Sequence, residues 1–122
     1  MAKKPKEVAL ESRESVGARL SSPSAARNQD PIRAAFLAHM PKSGVILEIA
    51  SGTGEHVVSL ARALPEIQFL PGDPDSASRA SIAAWTAHHG LTNVAAPHAI
   101  NAADADWTAG FPAPLNGVFS IN

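Results

Sequence analysis

Val45, Ile46, Leu47 and Ile49 form an apolar run too brief and too β-branched for a buried helix, and Ser51-Gly52-Thr53-Gly54 after it is a turn signal. The pattern therefore predicts a strand over 44–49 that ends in a glycine turn. Val57, Leu60, Ala61 and Leu64 then recur at helical spacing until Pro65, which places the backbone N–H groups near Gly54 and Glu55 at a helix N-terminus. Ile67-Gln68-Phe69-Leu70 reads as a second strand, and the segment from Ser76 through Trp85 as a helix stopping near Gly90, a left-handed C-cap candidate. A third strand is expected over Val94 to Ile100 and a fourth over Leu115 to Ile121. Upstream, Asp30 is placed to cap a helix starting at Pro31, with Ile32, Phe36 and Met40 on one face before Pro41. Strands alternating with helices predict an α/β fold, a parallel sheet joined by right-handed crossovers.

The chain has 122 residues, 45% of them hydrophobic, and a net charge of −1, which bounds it at one soluble domain. It contains no cysteine, which excludes disulfides, thiolate nucleophiles and cysteine metal sites and fits a reducing compartment. No apolar run approaches the roughly 20 residues of a membrane span, and no signal-type apolar region follows Lys3, Lys4 and Lys6. A cytoplasmic location is expected. Residues 1–22 mix those lysines with Glu7, Glu11, Arg13 and Glu14 before a break at Ser21-Ser22-Pro23-Ser24, and are expected to be a disordered or loosely ordered tail ahead of a domain at 23–122. Acids interleave with the basic residues and no aromatic platform is present, which disfavours nucleic-acid contact.

The glycine turn carries the chemistry. Without a Cβ, Gly52 and Gly54 allow positive φ and a close approach of backbone to ligand. A phosphate-binding P-loop needs a lysine after its second glycine, and none follows here; the dinucleotide fingerprint needs a third glycine where Val57 stands. What remains is an acid four residues before the first glycine, Glu48, in the pattern E-x-x-x-G-x-G. Asp73 lies 19 positions after Gly54, at the end of the second strand, where a carboxylate can accept hydrogen bonds from both hydroxyls of a ribose. Asp75 is better placed to cap the following helix. His88 and His89 fall in that helix's last turn, where imidazole suits the negative end, and nothing supplies metal-ligand spacing. His56 either lines the pocket or packs.

The E-x-x-x-G-x-G pattern resembles motif I of the class I S-adenosylmethionine-dependent methyltransferases, with Ala50 standing where that motif usually has one more glycine. The segments S-P-S-A-A-R-N (Ser22 to Asn28), L-E-I-A-S-G-T-G-E-H (Leu47 to His56), S-I-A-A-W-T-A-H-H-G-L-T-N-V (Ser81 to Val94) and V-F-S-I-N (Val118 to Asn122) narrow this further. They resemble an uncharacterised methyltransferase-like family, a domain of unknown function that includes methyltransferase-like protein twenty-six.

The resemblance implies a Rossmann-like class I methyltransferase sheet with helices on both faces, truncated after the fourth strand, and S-adenosylmethionine as cofactor. It implies no particular methyl acceptor. Carried over by position, Glu48, Ala50, Ser51, Gly52 and Gly54 surround the methionine end and Asp73 holds the ribose. Asn101 stands near the adenine amino group in place of a usual aspartate, and Asn116 likewise replaces an acid. Arg27 and Asn28 either close over the cofactor carboxylate or make a helix-start hydrogen bond. Asn122 lies where the superfamily often places a residue facing the transferred methyl, and is the one catalytic candidate. With an apolar edge exposed at Val118 to Ile121, the chain is expected either to self-associate through it or to be only marginally stable. Two other readings stay open: a non-catalytic domain that binds an adenosine ligand, and a nicotinamide-dependent oxidoreductase, which Val57 disfavours.

Overall fold

The computed structural model describes residues 13–108, 111 and 114–121, in the element order β1 (Glu14–Val16), β2 (Arg19–Ser21), α1 (Pro23–His39), β3 (Gly44–Ile49), α2 (Glu55–Ala63), β4 (Ile67–Pro71), α3 (Ser76–His88) and β5 (Gly117–Ser120). Three strands form a parallel sheet in the order β4-β3-β5, with Ile46 opposite Phe69 on one side and Gly117 on the other. Strand period sets the layers. Ile46 and Phe69 point to one face, where they pack with Phe36 of α1, Val57, Leu60 and Ala61 of α2, and Ile82 of α3. Leu47 and Leu70, one residue further along each strand, point to the other face and meet Ile100, with Trp107, Phe111 and Leu115 packed around them.

The four apolar positions expected to face the core from α2 are all buried: Val57 is fully inaccessible and Leu60, Ala61 and Leu64 nearly so. Asp75 caps α3 as expected, its Oδ2 accepting from Ser78 N at 2.9 Å, and Gly90 follows the helix with φ 62°. The Ser78 amide first, and its hydroxyl second, hold the Asp75 carboxyl below its ordinary pKa.

Four expectations need correction. The first helix begins at Pro23, not Pro31. Ser22 is its N-cap and Pro23 fills the first turn, the same start signal eight residues earlier, and the helix runs on through Pro31. Asp30, no cap, pairs instead with Arg33 at 2.6 Å. Residues 14–21, expected in a loose tail, form an antiparallel hairpin in which Val16 faces Arg19 across a two-residue turn. Gly17 supplies the positive φ of 60° that such a turn needs at its first position.

The third strand is reduced to two parallel bridges beside β4, Phe69 with Val94 and Gly72 with His98. Between them Pro97 has no N–H to donate, so the ladder is interrupted. The helices, expected on both faces, contribute Phe36, the α2 residues and Ile82 to one face, while the irregular segment bearing Trp107, Phe111 and Leu115 covers the other.

Candidate functional site

The carboxyl ends of β3 and β4 meet at the glycine turn. Ser51 joins them: its N–H donates to the Gly72 carbonyl at 2.9 Å and its hydroxyl oxygen accepts from Gly72 N at 3.0 Å. Asp73, just beyond Gly72, is buried, and its two carboxylate oxygens accept separately from Gly52 N and Asp75 N, each at 2.9 Å. The turn and the second acid are thus one assembly. Each Asp73 oxygen keeps a further acceptor position.

Glu48 lies at the base of this assembly, 1% exposed, and its Oε1 has no hydrogen-bond partner among the described residues. A buried carboxyl with an unpaired oxygen is costly, and it responds by holding its proton. Burial pushes Glu48 up to about 8; the Ser51 side chain opposes the shift, and the nearby Asp73 carboxylate adds to it. Such a group is an acceptor in waiting for a cationic or N–H-bearing ligand.

The turn's backbone is left-handed at three positions: Ala50 at φ 56°, Gly52 at 60° and Gly54 at 89°. The two glycines have different reasons to be there. A Cβ on Gly52 would meet nothing within 4 Å, so that corner is open. A Cβ on Gly54 would lie 2.8 Å from the Ile82 Cα, so this glycine lets α3 approach the turn. Ala50 takes a conformation that ordinarily belongs to glycine.

Glu55 was not singled out from sequence, and it organises the turn's far side. It is buried, and its Oε1 accepts from Thr53 Oγ1 at 2.9 Å and from Ser22 N at 2.7 Å. An acid in the first turn of α2 suits the helix dipole but opposes a phosphate at the same place. Ser81, fully buried on α3, was likewise missed; its hydroxyl donates to the Thr53 carbonyl at 2.6 Å. Both residues stand inside the family-like segments, and only their proximity in the fold reveals a role.

Glu48, Ala50, Ser51, Gly52, Gly54 and Asp73 are therefore brought together. Asn101 follows buried Ile100 but is exposed, its Oδ1 accepting from Ala103 N at 3.0 Å in its own turn. Asn116 is structural: it exchanges hydrogen bonds with the Val45 backbone at 2.7 and 2.9 Å, with its side chain packed where Gly44 has no Cβ. Arg27 and Asn28 lie exposed on α1. Asn122 lies outside the described residues. His56 is half-buried, and burial lowers its pKa while Glu55 opposes the shift. Among the described residues no group of three histidines or acids converges as a metal cluster, and no helix is long and apolar enough to cross a membrane.

A parallel sheet with a glycine turn at its carboxyl edge, an acid at the end of each of two adjacent strands and helices on the sheet make a Rossmann-like fold. Solved structures share it. The sugar N-methyltransferase KedS8 from a Streptoalloteichus species aligns with a TM-score of 0.55 at 20% identity, over 100% of this chain and 46% of its own. Coclaurine N-methyltransferase bound to N-methylheliamine and SAH aligns with a TM-score of 0.50 at 14% identity, over 62% of this chain and 22% of its own. This chain thus spans less than half the length of either. It belongs to DUF938, a family of proteins of unknown function, whose model matches residues 19–122.

Proposed function

We propose that this chain carries the donor-binding part of an S-adenosylmethionine-dependent methyltransferase, with residues 23–122 as the N-terminal part of the domain. The observation that carries the reading is the orphaned, buried Oε1 of Glu48 in β3, four residues before Gly52, whose own Cβ position is open. An ammonium group there would satisfy it. In this reading Glu48 accepts from the methionine ammonium, directly or through water, and Asp73 accepts from the ribose hydroxyls with the oxygen lone pairs that Gly52 and Asp75 leave over. Gly52, Ser51 and Ala50 present backbone to the methionine end, Asn101 stands toward the adenine, and Arg27 and Asn28 flank the cofactor carboxylate. Gly54 serves the turn from behind. The bound cofactor supplies an activated methyl group; the chain holds it in line, and proximity supplies much of the rate.

Glu55 favours this reading over a nicotinamide dinucleotide, because its carboxyl group sits in the first turn of α2, where a pyrophosphate would otherwise bind. Within DUF938 the four segments quoted above support kinship with methyltransferase-like protein twenty-six, and the cysteine-free composition supports a cytoplasmic location. A second reading is a domain that binds an adenosine ligand without catalysis, which the buried Asp73 and the open corner at Gly52 would serve equally well.

Calorimetric titration with S-adenosylmethionine, S-adenosylhomocysteine and NAD tests the choice. Binding of the two sulfur compounds and not NAD is expected. Binding of NAD alone overturns the proposal, and binding of the two without methyl transfer to any acceptor moves the chain to the second reading.

A further inference from the structure

The hairpin of β1 and β2 lies on α3, away from the sheet, and the donor-site reading gives it no task. Its docking is polar and directed. Leu20 N donates to Ser81 Oγ at 2.9 Å, Trp85 Nε1 donates to the Leu20 carbonyl at 2.8 Å, and the Arg19 guanidinium lies 5.1 Å from the centre of the Trp85 ring. Arg13 reaches Ser78 Oγ at 3.4 Å. Both backbone groups of one hairpin residue are therefore held by α3.

The same hydroxyl that accepts from Leu20 N donates in turn to the Thr53 carbonyl at 2.6 Å, within the glycine turn. One residue past the hairpin, Ser22 N donates to Glu55 Oε1, which also accepts from Thr53 Oγ1. Thr53 is thus gripped twice, through its carbonyl and through its side chain, and both grips lead back to residues 20–22. Ser81 and Glu55 are each buried, so neither link is replaced by solvent when it breaks. Thr53 separates Gly52 from Gly54, both at positive φ, so the turn has the conformational freedom that an outside constraint would remove.

We propose that Ser81 is a positioning residue that couples the N-terminal hairpin to the glycine turn, so that docking of the hairpin fixes the backbone on which the donor is bound. The donor part of this inference rests on the methyltransferase reading; the coupling itself does not. The relay runs Leu20 N–H to Ser81 Oγ–H to Thr53 C=O, and no covalent chemistry is involved. Trp85 supports it from the hairpin side without touching the turn.

The test is amide hydrogen exchange on the full chain, with Ser81→Ala and Trp85→Phe. Trp85→Phe removes the bond to the Leu20 carbonyl and part of the ring surface under Arg19, while keeping an aromatic ring against the core. In both variants exchange at Gly52 and Gly54 is expected to quicken about tenfold, the worth of one net hydrogen bond, while Ile46 and Phe69 in the sheet keep their rates. Unchanged Gly52 and Gly54 amides, or a rise shared equally by the sheet, overturn the coupling. Titration with S-adenosylhomocysteine supplies the second readout. Each variant is expected to bind several-fold more weakly, and the double variant no more weakly than Ser81→Ala alone, because both changes break one chain of bonds. Equal affinity in wild type and variants overturns the positioning role. A wild-type chain that binds no S-adenosylhomocysteine yet shows the selective exchange response keeps the coupling and removes the methyl-donor reading.

Discussion

The Cα of Ile82 lies 2.8 Å from the point a Cβ on Gly54 would occupy, so α3 rests directly on the second glycine of the turn. Gly52, two residues earlier, faces open space. Alanine at the two positions should therefore separate packing from conformation. Gly54→Ala adds a backbone clash to a left-handed φ and is expected to cost about 3 kcal/mol. Gly52→Ala bears only the conformational cost, about 1 kcal/mol, yet it places a methyl in the open corner where the donor is proposed to bind. Denaturant titration should rank Gly54→Ala as the less stable, and calorimetry should find that Gly52→Ala weakens S-adenosylhomocysteine binding beyond its effect on stability.

Ala50 gives the opposite case. It is exposed and holds φ 56°, which a non-glycine residue occupies at a cost. Ala50→Gly relieves that cost and adds back unfolded-state freedom, for a net gain of about 0.5 kcal/mol. A rise in the denaturant midpoint with an unchanged slope checks it, and a fall would show that the alanine methyl packs in a way its exposure does not suggest.

Much of this turn was legible in the sequence because its elements are local. The run Val45 to Ile49 and the spacing Val57, Leu60, Ala61 and Leu64 state their own periods, and Asp73 follows Gly54 at a readable interval. Asp75 declared itself as a cap by preceding Ser76. What was missed depends on partners far away along the chain. Ser21 to Ser24 reads as a break and Asp30-Pro31 as the helix start, whereas Ser22 caps a helix that runs on through Pro31. The hairpin at 14–21 is short and largely exposed, so it carries no apolar alternation; only Gly17 marks its turn, and its stability comes from Ser81 and Trp85, some sixty residues on. The seating of α3 on Gly54 was not legible, because sequence cannot show which backbone approaches a glycine. Pro97 was visible within the third strand, and its missing N–H was the signal that the ladder would be broken.

Glu48 makes a pH prediction whose sign follows from its raised pKa. In the folded chain it keeps its proton up to about 8, whereas its ordinary value is 4.5. Between those values the folded state binds more protons than the unfolded state, so this group's contribution makes stability fall as pH rises from 4.5 to 8, with little further change on either side. The fall is expected to be on the order of a few kcal/mol. Glu48→Gln has no proton to lose and should abolish that slope. Denaturant titrations at the two ends of the window read it, and equal slopes in wild type and variant would place the pH dependence elsewhere.

The same carboxyl ties binding to proton release. At pH 7 a group that titrates near 8 is mostly protonated before the ligand arrives, and an ammonium against Oε1 favours its ionised form. Binding of S-adenosylhomocysteine at pH 7 is therefore expected to expel up to about one proton per site, and affinity should rise as pH climbs toward 8. Calorimetric titration in two buffers of different ionisation enthalpy measures the released proton directly. Glu48→Gln should bind more weakly and release none. Release that persists in Glu48→Gln would assign the titrating group to another residue, with half-buried His56 beside the turn the first to examine by the same substitution.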